Sequence, residues 1–243
     1  MEVKNKIVAI LDEQETWYKD VLGLIKAEEI DLPKYEELEE WQTTTYEENN
    51  RYKNIQLLFK DIRIRAYHAC RVFDLDDYYK NGLKIPSKKM YIELFNKYCG
   101  CLDFQLSETQ YERAIKYISE SNLEREIFFN LSKKELLTYS SHYLTYGSEK
   151  IQAAFANALF TSPPFLFLKN TTTIPTIFEI DVPINFLDDD QKRFACAEIL
   201  MSLCDYIDGF DYDADRDRAL VLRRNLPAKY ISSHIHPKHN LIK

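Results

Sequence analysis

Hydrophobic positions near the start of the chain recur with the spacing of a helix. Ile7, Ile10, Leu11, Trp17, Val21, Leu22 and Ile25 fall on one face, which predicts an amphipathic helix over residues 4–25. An acidic helix or loop follows Pro33, and a second helix is expected over 46–61. The period then changes. In IRIRAYHACR, Ile62, Ile64, Ala66, His68 and Cys70 alternate with Arg63, Arg65, Tyr67, Ala69 and Arg71, which predicts a strand. Asp74 is placed to cap a short helix that Asn81-Gly82 ends.

Ser87 opens the next expected helix, which ends near Gly100. Ser107 with Gln110 and Ser132 with Glu135 carry the capping-box spacing that starts two more. HYLTYGSE, from His142, returns to strand character, and Ser148 is placed to cap the helix EKIQAAFANALF. PTIFEIDVPINF is the clearest strand, with Phe178, Ile180 and Val182 alternating with Ile177, Glu179 and Asp181. DDDQKRFACAEILMSLCDYI reads as an amphipathic helix started by Asp188 and Gln191. RALVLRRNLPAKYISSHI reads as two strands around a turn at Asn225 to Ala228. Strands separated by helices predict an α+β fold. A helical N-terminal region over 1–61 precedes an α+β domain over 62–243, with a helical insertion at about 87–140.

Composition narrows the function. Of 243 residues, 45% are hydrophobic and 14% aromatic, a composition that argues against disorder. The net charge of −7 disfavours a nucleic-acid backbone as the main partner, since that binding rests on basic residues neutralising phosphates. Five cysteines fit no zinc spacing and are expected as reduced thiols in a cytoplasmic protein. Neither a signal peptide at the N-terminus nor a membrane span is expected. The five glycines form no G-x-G-x-x-G or P-loop, so any nucleotide is bound by other means.

YHACR, from Tyr67 to Arg71, followed by DLDDYYKNGL, resembles the first nucleotide-binding segment of ADP-ribosyltransferase-like folds. HYLTYGSEKIQAAFANAL is similar to the second segment, and DRDRALVLRRNLPAKYI, from Asp215 to Ile231, matches the outline of the last. The resemblance covers about half of the chain, in the order of the family. It implies a split β-sheet core and NAD as substrate, with ADP-ribose passed to an acceptor that could be a protein. It also implies roles. His68 would hold a ribose hydroxyl with Arg71 beside it, Tyr143 or Tyr146 would stack on nicotinamide, and Ser148 would support the site. Where the family commonly carries Glu, this chain has Arg218, with Asp217 one position earlier as the implied catalytic carboxylate and Glu179 in reserve. Breaking the nicotinamide–ribose bond develops positive charge that such a carboxylate stabilises. With Arg218 in that position, the site could instead take a phosphorylated ligand, as in tRNA 2′-phosphotransferases, or be a catalytically inactive nucleotide- or protein-binding module.

Plainer readings stand beside these. His68 shares its strand face with Ile62 and Ile64 and could be a core histidine, and Tyr143 and Tyr146 could be packing. Ser148 is explained by capping alone, and Glu179 and Asp181 could form the solvent face of an edge strand. The acidic run DYDADRD has oxygen ligands at alternate positions but lacks the glycine and terminal Glu of a calcium loop. Cys70 with His68 could suggest a nucleophile pair. His234, His236 and His239 form the one cluster that could bind metal, since on a strand His234 and His236 would share a face and could chelate a zinc ion, but the segment is read here as a frayed polar tail with no metal.

Overall fold

The computed structural model describes residues 7–43, 50–122, 125–160, 172–210 and 219–237. The chain divides into two compact units, both assembled from separate stretches. The first comprises Met1–Tyr67, Phe128–Glu135 and Glu179–Arg223, and the second His68–Ile127, Leu136–Phe178 and Arg224–Lys243.

Six described strands are β1 (Val8–Ala9), β2 (Arg63–Val72), β3 (Ile127–Asn130), β4 (Ile174–Pro183), β5 (Ala219–Leu222) and β6 (Ile231–Ile235). They follow the sheet order β5-β3-β2-β4-β6, and β1 pairs with β2. That pairing is parallel, with Val8 opposite Arg63, whereas β3 is antiparallel to β2, with Tyr67 opposite Asn130. Strands β2 and β4 each contribute residues to both units. The chain is thus mixed helix and sheet, as the sequence pattern predicts. No described helix is long and apolar enough to cross a membrane.

In the first unit, α1 (Tyr18–Ala27), α2 (Tyr35–Thr43) and α3 (Asn50–Leu58) precede β2. The long helix α10 (Asp189–Asp208) follows β4. Asp188 caps α10 by accepting from the Gln191 N–H, as its position in the sequence predicts. The amphipathic expectation for this helix is corrected. Every residue from Ala195 to Leu203 is buried, including Glu198 and Ser202, so the helix is covered all round in its middle. Polar partners make this tolerable: Gln14 donates to the Ser202 carbonyl at 2.8 Å and Gln42 donates to Glu198 at 2.5 Å. The N-terminal expectation is corrected as well. Val8 and Ala9 form β1, a short 3-10 turn follows at Gln14–Thr16, and the helix begins only at Tyr18.

The second unit holds α4 (Leu75–Asn81), α5 (Lys88–Cys99), α6 (Glu108–Glu120), α8 (His142–Tyr146) and α9 (Glu149–Leu159). Helix α7 (Lys133–Thr138) lies between β3 and α8 in the chain. Helices α5, α6 and α9 bury Phe95, Tyr98, Ala114, Ile118, Ile151, Ala154, Phe155 and Ala158 together. Within this cluster the rings of Phe95 and Phe155 have their centroids 4.6 Å apart. Local capping chemistry behaves as read: Ser87 caps α5, and Ser107 with Gln110 completes both halves of a capping box on α6. The stretch 87–140 is not wholly helical, because IFFN forms β3 within it.

One strand expectation also changes. HYLTYGSE folds as the short helix α8, in which Ser141 accepts from Leu144 and Thr145 N–H groups at 3.0 Å, and Gly147 ends it at φ 76°. A run of five residues is too short for alternation to exclude a helix. The last two strands form as read, β5 over Ala219–Leu222 and β6 over Ile231–Ile235.

Candidate functional site

The N-terminal half of β2 and the C-terminal half of β4, in the first unit, carry a set of charged side chains. Arg65 donates to Asp181 at 2.6 Å and lies 3.4 Å from Glu179, and Lys133 Nζ lies 2.6 Å from the other Glu179 oxygen. The Lys133 N–H also donates to Asp12 at 3.1 Å, and its ammonium lies 5.4 Å from the centre of the Tyr67 ring. Burial, followed by the charges of Asp12 and Glu179, pushes the Tyr67 phenol well above its ordinary range, so it stays protonated. Glu179 and Asp181 are therefore half-buried members of an ionic chain, not the solvent face of an edge strand: β4 lies between β2 and β6. Two cations neutralise Glu179, which leaves less of its charge to stabilise a cation developing on a ligand.

In the second unit, the C-terminal half of β2 carries His68, Cys70 and Arg71. His68 is half-buried, and Arg71 is buried. The Arg71 guanidinium donates to Thr173 Oγ1 at 2.8 Å, the Thr173 carbonyl at 2.7 Å, and the Leu144 and Thr145 carbonyls at 2.9 and 3.2 Å. Arg71 and the Tyr143–Ser148 segment are thus brought together, through the backbone of α8. Tyr143 and Tyr146 are half-buried on that helix, and the Tyr143 ring lies 4.0 Å from that of His142. Ser148 stands at the N-cap of α9, but its side chain makes no capping hydrogen bond, contrary to the capping expectation. Asp217, Arg218, the acidic run around them and His239 lie outside the described residues.

A different set of rings assembles in this unit. Helix α4, capped by Asp74 and ended by Gly82, brings Tyr78 and Tyr79 against Phe178 of β4 and His234 of β6. Tyr78 stacks on the buried Phe178 at 4.7 Å. The exposed Tyr79 meets His234 edge-on at 5.7 Å, and its hydroxyl lies 2.7 Å from His234 Nδ1. His236 adds its ring 4.8 Å from that of His234. This overturns the reading of His234 as part of a polar tail: it sits in β6, and its ring is fixed by a partner. The signals in the sequence were the Tyr78-Tyr79 pair inside a capped helix and the i, i+2 spacing of the histidines.

Cys70 lies beneath this cluster, with Sγ 3.9 Å from the Tyr78 hydroxyl. Burial pushes its thiol up to about 12, so it is no nucleophile at neutral pH. Cys99 is likewise raised by burial, to about 11. All five cysteines are free. Brief alkylation of the native protein at neutral pH is expected to leave Cys70 and the buried Cys196 unmodified, as read by peptide mass spectrometry. Labelling of Cys70 as fast as in the unfolded chain would contradict this assignment.

Comparison with family models, curated proteins and solved structures found no match to this chain.

Proposed function

We propose that this chain is a nucleotide-binding protein on an ADP-ribosyltransferase-like scaffold, with the ring cluster of the second unit as the platform for NAD or a related nucleotide. The observation that carries this reading is the Tyr79–His234 pair, a partly exposed aromatic edge held in place by a 2.7 Å hydrogen bond and backed by the Tyr78–Phe178 stack. Bases and nicotinamide have π-faces that stack on such rings, and imidazoles and phenols hydrogen-bond to ribose hydroxyls. None of this needs a glycine-rich loop, in keeping with the glycine positions. The strand-to-helix step from β2 through the Asp74-capped α4 to Gly82 supports the scaffold, as does His68 on the β2 face shared with Cys70.

Transfer of ADP-ribose by this chain is not expected. Glu179 is held between Arg65 and Lys133, and Phe178 and Glu179, neighbours on β4, project to opposite faces of that strand. Binding without turnover is the expected behaviour. NAD at about 100 times its Kd should raise the stability by ~2.7 kcal/mol, seen as a higher Tm, with no nicotinamide released. A raised Tm with nicotinamide release that Glu179→Gln abolishes would establish the transferase instead. No change of Tm with NAD, ADP-ribose or AMP would remove the nucleotide reading altogether.

A further inference from the structure

We propose that His234 and His236 form a binding site for a divalent transition-metal ion of the zinc class, held between their two Nε2 atoms. His234 lies in β6 and His236 directly follows its last residue, Ile235, so the two stand at i and i+2 where the strand ends. Their ring centroids are 4.8 Å apart. With a Zn–N distance near 2.0–2.1 Å and a tetrahedral angle at the metal, two ligating imidazole centroids sit ~5 Å apart. The spacing already suits a shared ion.

Hydrogen bonding selects the tautomer that such an ion needs. His236 Nδ1 lies 3.3 Å from the Pro175 carbonyl oxygen, which can only accept, and 3.2 Å from Thr176 Oγ1. The Thr176 hydroxyl donates its own proton to the Ile174 carbonyl at 3.1 Å, so toward His236 it too accepts. Both contacts therefore require the proton on Nδ1, which leaves the Nε2 lone pair for a metal. Orientation of a ligating histidine through its other nitrogen, by a backbone carbonyl or hydroxyl, is the usual outer layer of such sites. His234 has its counterpart in the Tyr79 hydroxyl at 2.7 Å, whose oxygen can accept from Nδ1. Thr176 is fully buried while His236 is exposed, so His236 is oriented from the core side and its ring is open to an ion.

Among the described residues no group of three or more His, Cys, Asp or Glu could hold a metal, so two imidazoles supply the protein ligands and water or an incoming anion completes the shell. The ion takes the Nε2 edges of the rings and not their faces, so its binding does not depend on whether a nucleotide is bound.

The probe is Zn2+ alone, added to the full-length, untagged protein and followed by equilibrium dialysis. Wild type is expected to take up one more ion per chain than the His234→Gln/His236→Gln double variant, and each single variant should weaken uptake at least tenfold. Thr176→Val keeps both ligands but loses one acceptor at Nδ1, and is expected to weaken uptake by about tenfold. Equal uptake by wild type and the double variant would assign the zinc to other groups, such as the thiols, and overturn the proposal. Should the glutamine variants fail to fold, the wild type itself decides. Zn2+ should protect His234 and His236, but not His142, from carbethoxylation, and absence of that protection overturns the site.

Discussion

Gly82→Ala is expected to lose ~3–5 kcal/mol of stability, a large part of the ~5–15 kcal/mol that a folded chain typically has. Gly82 ends α4 at φ 72° and ψ −167°, a conformation essentially confined to glycine. Strain of that kind costs ~1–3 kcal/mol for a residue with a side chain. There is also no room for one. A Cβ would clash with the Leu226 carbonyl oxygen and lie 2.7 Å from the Ala228 nitrogen. Both are backbone atoms, in a segment fixed by the reciprocal Leu83–Leu226 hydrogen bonds at 2.9 and 2.8 Å. Overpacking adds a further ~1–3 kcal/mol. Urea unfolding of the variant measures the sum. Gly23→Ala is the internal control: it lies inside α1, nothing stands within 4 Å of its added Cβ, and alanine should stabilise that helix by ~0.5–1 kcal/mol. If both variants shift stability alike, the close packing assigned to Gly82 is wrong.

The second large effect is expected at Arg71. Its guanidinium spans Thr173 and two carbonyls of α8, and Gly147 lies against its stem: a Cβ there would be 3.7 Å from Arg71 Cβ and 2.9 Å from the Tyr98 hydroxyl. Burial lowers the pKa of Arg71, but a guanidinium keeps its charge at any accessible pH. These four bonds go to neutral oxygens, which hold the charge by hydrogen bonding. Arg71→Ala would strand those oxygens at ~1–3 kcal/mol for each one left buried and unpaired, and a total of ~3–5 kcal/mol is expected. Arg71→Lys should recover little, since an ammonium cannot reproduce the planar fork. Both are read from denaturant unfolding without ligand. An Arg71→Ala variant of wild-type stability would mean that the guanidinium is held for a ligand and not for α8.

What could be read from the sequence divides by the range of the interaction that decides it. Asp74, Ser87, Ser107 and Asp188 were legible as helix starts, because a cap is settled within four residues. Strands β2 and β4 were legible from alternation over ten residues rich in Ile, Val and aromatic side chains. The four-residue β3 and five-residue α8 were not, since neither is long enough to display a period. The burial of α10 on all sides came from neighbours distant in the chain: Gln14 and Gln42 donate to Ser202 and to one oxygen of Glu198 across more than 150 positions of sequence. The site follows the same rule. Arg71 was named together with Tyr143, Tyr146 and Ser148, but what it meets in that segment is the backbone, at the Leu144 and Thr145 carbonyls. The ring cluster draws Tyr79, Phe178 and His234 from segments about a hundred or more residues and some fifty residues apart, and no local pattern announces such a meeting.

Calorimetric titration of ADP-ribose into the wild-type protein and the Tyr79→Ala variant tests the central reading most directly. Tyr79 is exposed and lies in the short α4, so its truncation should leave the fold intact. Removing one stacking ring costs ~1–3 kcal/mol. The expected result is saturable binding by wild type at one ligand per chain and a Kd weakened ~10–100-fold in the variant. Equal affinity in the two proteins, or no binding by either, would contradict a nucleotide platform at this cluster.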